Sequence, residues 1–369
     1  MTERNEEMQA FLSGAGWGGA ELHPLAGDAS TRRYVRASLN GRKAMVMDQP
    51  QAAETPACPP GATSEQRRAM GYNAIARLVG ADVGRFVATA DFLRARGLSA
   101  PQIYAADTKY GFALIEDLGD GLYADVLTDG GDENALYGTA IDALARIHVE
   151  TAPTVLSPDK PLHVYDEVAL VAETDLMTQW FMPVALGRGA SDAEIAEHRA
   201  LWLEVLEPVL ASPSVFVHRD YHAQNLIWLP ERQGIARAGM IDFQDAVAGA
   251  HSYDLISLVE DARRDVTPAL AEAMTVRYLD VMRAQGRRLD EDAYRGEMAV
   301  MAAQRNAKIA GIFARLYKRD GKPRYLSYLP RVWGYLNRDL EHPALARLKA
   351  WYERVIPREA RGNPMDKGR

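Results

Sequence analysis

The chain has 369 residues, 47% hydrophobic and 25% charged, which suits one large or two medium globular domains and gives no support for extended disorder. With Asp and Glu at 50 against Lys and Arg at 43, the formal net charge is −7, so nucleic acid is not favoured as the principal partner. One cysteine, Cys58, excludes an intrachain disulfide and any cysteine cluster for zinc or iron and sulfur.

The N-terminus, MTERNEEMQAFLSGAG, is acidic early and lacks a long apolar core, so it does not read as an export signal. No run approaches the about 18 apolar residues of a membrane-spanning helix. The expectation is therefore a cytoplasmic protein with no membrane association.

A short helix is predicted in EEMQAFLSGAG, followed by a polar turn at AGDAST and an alternating strand in RRYVRASL. Asn40 and Gly41 are turn residues between that strand and AMVMD, which together predict a hairpin. Prolines and small residues over 50–63 stop the second strand. Helices are predicted in EQRRAMGYNAIARLV and GRFVATADFLRARG, the latter ending at Gly97. Strands follow around QIYAAD and FALIE. The Gly- and Asp-rich stretch 117–121 suits a connection between lobes, which divides the chain into 1–118 and 119–369.

Beyond that point helices dominate, with Leu136, Ala140, Leu144 and Ile147 at helical spacing, another apolar helix in ALWLEVLEPVLAS, and a stripe of Ile309, Ile312, Phe313 and Leu316. Arg305 and Lys308 read as the solvated face of that last helix. Two strand-turn units, VFVHRDYHAQNLIWL and GIARAGMIDFQDAV, interrupt the helices and place Asp220 and Asp242 near turns. The fold class expected is α+β, with a small sheet-rich N-terminal lobe and a larger, mainly helical C-terminal lobe.

Asp220 follows His218 and Arg219, and Asn225 comes five positions later. A carboxylate there can orient a hydroxyl nucleophile and accept its proton, while Asn225 and Asp242 supply the hard oxygen ligands that Mg²⁺ on a nucleotide phosphate chain requires. Each residue also has a plainer use. His218 can pack under the loop, Arg219 can order it through an ion pair, Asn225 can cap the turn and Asp242 can staple its own. A metallohydrolase built on His218, Asp220 and His222 is the chemical rival, but it explains Asn225 poorly.

HRDYHAQN resembles the catalytic loop of the kinase-like phosphotransferases, and MIDFQDAVAGAHSYDLISL resembles the metal-loop segment of the aminoglycoside phosphotransferase family. The resemblance implies a two-lobed protein-kinase-like fold, Asp220 as catalytic aspartate, and Asn225 and Asp242 as ligands of Mg²⁺. It also implies Asp254 as a structural aspartate steadying the catalytic loop, where a helix cap is the alternative; His218, from its place under the loop, reads as structural. AGDASTRRYVR resembles a nucleotide-covering loop in which Gly27 permits the turn and Ser30 and Thr31 bind phosphate. LIEDLG resembles the hinge that meets adenine through the main chain of Glu116 and Leu118.

A closer likeness, in AGDASTRRYVR, AMVMDQP and QRNAKIAGIFARL, is to the cell-wall sugar kinases that phosphorylate the anomeric hydroxyl of N-acetylmuramate and N-acetylglucosamine. That likeness implies ATP as donor, an amino sugar as small-molecule substrate, and no obligatory protein partner. Gln244 and Asp245 are candidate substrate contacts. One departure stands out: the family carries a lysine on the strand corresponding to AMVMD, where this chain has Met45, Val46 and Met47, with Lys43 nearby. The alternatives are a kinase of an aminoglycoside, a choline-like alcohol or another sugar, and a nucleotide-binding regulator without turnover.

Overall fold

The computed structural model describes residues 3–25, 32–50, 56–212 and 214–366. Gly27, Ser30 and Thr31, the expected phosphate-binding residues of the covering loop, lie outside the described residues.

In chain order the first elements are α1 (Glu3–Gly14), β1 (Glu21–Pro24), β2 (Arg33–Leu39), β3 (Arg42–Asp48), α2 (Ser64–Met70), α3 (Val83–Arg94), β4 (Ile103–Asp107), β5 (Phe112–Ile115), α4 (Tyr123–Thr128) and α5 (Glu133–His148). Then come β6 (Val155–Ser157), β7 (Lys160–Pro161), α6 (Glu167–Leu176), α7 (Met182–Leu186), α8 (Asp192–Leu210), β8 (Val215–Val217), β9 (Leu226–Trp228), β10 (Ala238–Met240) and β11 (Val247–Gly249). The last are α9 (Tyr253–Val259), α10 (Pro268–Ala284), α11 (Glu291–Lys318), α12 (Leu329–Asp339) and α13 (Ala346–Val355). Among the described residues no helix is long and apolar enough to cross a membrane.

The chain forms two compact units. One comprises Met1–Ile147, Pro153–His163 and His218–Val247, and the other His148–Ala152, Val164–Val217 and Ala248–Arg369. Compactness thus groups 218–247 with the N-terminal sheet, whereas the division at 118 and 119 is one of expected role.

In the first unit, five strands form an antiparallel sheet in the order β1-β2-β3-β5-β4. The β2–β3 hairpin closes where expected: Asn40 (φ 52) and Gly41 (φ 78) supply the pair of left-handed residues that a two-residue turn needs. Alternation along the strands sends Val35, Ala37, Ala44, Val46, Phe112 and Leu114 to one face, where Met8, Leu12 and Trp17 complete a buried core. The opposite face carries Tyr34, Arg36, Met45 and Met47, with Tyr34 paired to Met47 and Arg36 to Met45.

The predicted helix through EQRRAMGYNAIARLV is broken. Thr63 and Gln66 form a reciprocal cap on α2, but Gly71 turns to φ 98, and a single π-helical turn over Asn73–Arg77 ends at Leu78 with φ 71.

The second unit centres on α11, which Asp290 caps and which packs against α6, α12 and the π-helical turn Met177–Phe181. The expected stripe is only partly its buried face, because Ile309, Ile312 and Leu316 are half-buried while Ala303, Ala307, Ala310, Gly311 and Ala314 are buried. Close approach is the reason: a Cβ on Gly311 would lie 2.5 Å from the carbonyl carbon of Leu176. Arg305 and Lys308 are not solvated either. Arg305 donates to the Ser257 hydroxyl and the Glu260 carbonyl at 3.0 and 3.3 Å, and Lys308 pairs with buried Glu173 at 2.9 Å.

Candidate active site

The polar loop 218–225 is closed on itself by short-range bonds. The Asp220 carbonyl accepts from the His222 amide at 3.1 Å and from Asn225 Nδ2 at 3.0 Å, and the Asn225 amide donates to the His222 carbonyl at 2.8 Å. His218, fully buried, accepts from the Asp220 amide through Nδ1 at 3.3 Å and packs edge-on to Tyr221 and Phe243. The Asp220 carboxylate has no hydrogen-bond partner among the described residues, and the residue is half-buried. It is therefore available to an incoming hydroxyl.

Arg219 adopts φ 80, a conformation costly for a residue with a Cβ, and is 5% exposed. Its guanidinium donates to the carbonyls of Ala76 and Arg77 at 2.7 and 2.6 Å, at the end of the π-helical turn. The loop-ordering role weighed from the sequence is realised through backbone carbonyls.

Asn225 precedes β9 and Asp242 follows β10. Because these strands are antiparallel with Leu226 opposite Met240, the two residues emerge at the same end, and the Ile241 amide donates to the Asn225 carbonyl at 3.1 Å. With Nδ2 committed to Asp220, the Asn225 amide keeps Oδ1 as an acceptor. Asp242, also left-handed at φ 62, accepts at Oδ1 from Arg32 Nη2 at 2.5 Å and from Gln244 Nε2 at 3.0 Å. Burial pushes its carboxyl upward, but Arg32, the Gln244 hydrogen bond and nearby His218 outweigh this and hold it below the usual carboxylate range.

An amide oxygen beside a carboxylate is a sparse donor set, and the described residues contain no cluster of three or more His, Cys, Asp or Glu suited to a metal. That sparseness fits Mg²⁺, which keeps several waters and takes substrate phosphate oxygens. It does not fit a metallohydrolase centre.

Gln244 and Asp245 are engaged with protein groups. Gln244 is buried against Asp242, and Asp245 accepts from Arg77 Nε and Nη2 at 2.5 and 3.0 Å. Asp254 lies in the first turn of α9, fully buried, with its Oδ2 3.9 Å from His148 Nε2, while Ser252 occupies the cap position. At the expected hinge, the Glu116 amide donates to the Gln102 carbonyl at 2.8 Å and the Glu116 carboxylate pairs with Arg232 at 2.6 Å. The Glu116 carbonyl and the Leu118 amide have no partner among the described residues, leaving one main-chain acceptor and one donor. Arg36 braces this stretch through Asp117 at 2.6 Å and Asp120 at 2.7 Å.

Sequence reasoning missed three arginines that build the site. Arg32 bonds Asp242, Arg77 bonds Asp245, and buried Arg85 donates to the carbonyls of Gln244 and Ala246 at 2.9 and 2.6 Å. The available signal was an arginine interrupting an apolar helical run, as Arg85 does in GRFVATADFL. Lys43 is exposed at the far end of β3, four residues and roughly 13 Å from Met47 along the strand.

A sheet-rich N-terminal part, a mainly helical remainder and two polar loops after short strands define a phosphotransferase. The model of the phosphotransferase enzyme family matches residues 21–291, and the chain belongs to that family. The curated N-acetylmuramate/N-acetylglucosamine kinase of Caulobacter vibrioides is 46% identical over 98% of this chain and 99% of its own length. The enzyme of the same name from Pseudomonas putida is 32% identical, over 93% and 92% respectively. The crystal structure of choline kinase from Streptococcus pneumoniae superposes with TM-score 0.57 over 94% of this chain and 99% of that one, at 12% identity, a likeness of fold alone. The expected α+β, protein-kinase-like phosphotransferase fold and the family resemblance are both borne out.

Proposed function

We propose that the protein transfers the terminal phosphoryl group of ATP to the anomeric hydroxyl of N-acetylmuramate, N-acetylglucosamine or both, giving the sugar 1-phosphate during peptidoglycan recycling. The observation that carries the substrate class is the likeness to kinases of these two sugars over nearly the whole of both chains. The chemistry is supported by the juxtaposition of Asn225 and Asp242 across the β9–β10 pair, together with the unpartnered carboxylate of Asp220.

Residues 1–118 act as the nucleotide lobe and 119–369 as the catalytic and substrate lobe. Adenine meets the Glu116 carbonyl and the Leu118 amide, and the loop with Gly27, Ser30 and Thr31 covers the phosphates. Asn225 Oδ1 and Asp242 hold Mg²⁺, which neutralises charge across the phosphate chain. Asp220 orients the anomeric hydroxyl and accepts its proton as the oxygen attacks phosphorus. Asp254 and His218 hold structure around the loop. Gln244 and Asp245, proposed from the sequence as sugar contacts, are assigned instead to bracing the Asp242 loop. The enzyme works in the cytoplasm, where ATP is available, without an obligatory protein partner.

The test is phosphate transfer from Mg·ATP to both sugars, with aminoglycosides and choline as comparison acceptors. Phosphorylation at the anomeric oxygen abolishes the reducing end, so product should appear together with loss of reducing-sugar reactivity. Transfer only to choline or an aminoglycoside, or phosphorylation with the reducing end intact, would discard this reading.

A further inference from the structure

Arg32 is the first described residue after the covering loop and is 7% exposed. Its Nη2 donates to Asp242 Oδ1 at 2.5 Å, and its Nη1 reaches the Tyr34 hydroxyl at 3.5 Å. Tyr34 is the cross-strand partner of Met47, whose sulfur accepts from the Tyr34 hydroxyl at 3.7 Å. Arg32 therefore sits at the end of the sheet face opposite the apolar core, beside the methionine of a strand that offers no cation of its own there.

The carboxylate that Arg32 neutralises is the one assigned to the metal. A divalent cation arriving at Asp242 repels a guanidinium bonded to the same group, while a polyphosphate arriving with it offers oxygens that a guanidinium fork matches as well as it matches a carboxylate. We propose that Arg32 is a phosphate-binding residue that exchanges partners, pairing with Asp242 in the nucleotide-free protein and moving to phosphate oxygens of the donor nucleotide when Asp242 takes its metal. This rests on the kinase reading above. It makes the residue preceding β2, rather than a residue of β3, the source of the phosphate-binding cation. It also gives the ion pair a second task, because Arg32 keeps Asp242 neutralised until nucleotide and metal arrive together.

The exchange predicts two effects of opposite sign in the full-length variant Arg32→Met, which keeps an apolar stem and removes the charge. Mn²⁺ alone, followed by electron paramagnetic resonance, should bind about 3- to 10-fold tighter, because its competitor is gone. ADP with saturating Mg²⁺, followed by calorimetry, should bind roughly 10- to 100-fold weaker, the range of one charge-assisted group. A bridge that merely orders the loop would weaken both or neither.

Unchanged ADP affinity, or Mn²⁺ binding that is unchanged or weaker, overturns the exchange. Should Arg32→Met fail to melt cooperatively, Arg32→Gln carries the same two readouts with the same expected signs. If the wild-type protein binds no ADP, the kinase reading itself fails and takes this inference with it. If the wild type binds ADP and the variant binds it equally well, only the exchange is lost.

Discussion

Arg219 donates to the backbone carbonyl of Arg77 at 2.6 Å, while the guanidinium of Arg77 grips Asp245. One residue at the end of the π-helical turn thereby ties the Asp220 loop and the Asp242 loop to the same anchor. The left-handed backbone of Arg219 is over-determined by this arrangement, which is how a strained conformation persists beside a reacting group.

Arg219→Met should destabilise the fold by about 2–4 kcal/mol, since two carbonyls in a buried setting lose charge-assisted donors. It should also reduce kcat, because Asp220 follows directly in the chain. Arg219→Gly separates strain from bonding: it relaxes the backbone at φ 80 but removes the fork. Urea denaturation of both variants is the check. An Arg219→Met variant as stable as the wild type would mean that the fork contributes nothing, and a glycine variant no more stable than the methionine one would mean that the left-handed backbone carries no strain.

The parts legible in the sequence were those whose cause is local. Asn40 and Gly41 specify their hairpin by backbone preference, and the five-residue spacing from Asp220 to Asn225 reflects a loop closed by its own hydrogen bonds. What stayed hidden depends on partners far away in the chain. Arg32 and Asp242 are 210 residues apart, and Arg77 and Asp245 168, so nothing near either arginine distinguishes a buried pair from a solvated charge. Arg305 and Lys308 read as solvated in the sequence for the same reason: their partners Glu260 and Glu173 are distant in the chain. The buried face of α11 escaped because alanine and glycine fill it, and small residues mark close approach of elements rather than apolar patterning.

Asp220→Asn should leave stability within about 0.5 kcal/mol of wild type, because no described group bonds the carboxylate. It should leave ADP affinity unchanged and lower kcat by roughly 10²- to 10⁴-fold, the range for a positioned base. Thermal melts, calorimetry and steady-state assays on one preparation test all three. A variant that keeps its turnover would remove Asp220 from the chemistry.

Asp242→Asn should raise the Mg²⁺ concentration giving half-maximal rate by at least about tenfold. In the wild type that concentration should hold steady from pH 7 to about 5. The sign follows from the depressed pKa of Asp242: the carboxylate stays ionised throughout this range and loses its charge only as pH falls through a folded value below the usual one. A steep rise in the Mg²⁺ requirement between pH 7 and 5 would show that Arg32, Gln244 and His218 do not hold Asp242 ionised.

Acid should unfold the protein through two buried histidines. His198 accepts from Trp202 Nε1 at 2.9 Å, so its Nε2 must be unprotonated, and burial together with Arg199 pushes its pKa down to about 3. His251 is pushed down to about 3 by burial, with His148 and Arg287 adding to the effect. Above about pH 6.5 both are neutral in the folded and unfolded states and contribute no pH dependence. Below it the unfolded chain takes up two protons that the folded chain refuses, so stability falls as pH falls towards 3. Linkage sets the loss at about 2 kcal/mol per histidine at pH 5. Urea midpoints at pH 7.5, 6 and 5 test this, and because the carboxyls of Asp339 and Glu297, raised by burial, act in the opposite sense, the share of His251 is the drop in slope that His251→Gln produces. An unchanged slope in His251→Gln would show that His251 is protonated in the folded state, whereas protonation of His198 would require its bond from Trp202 to break.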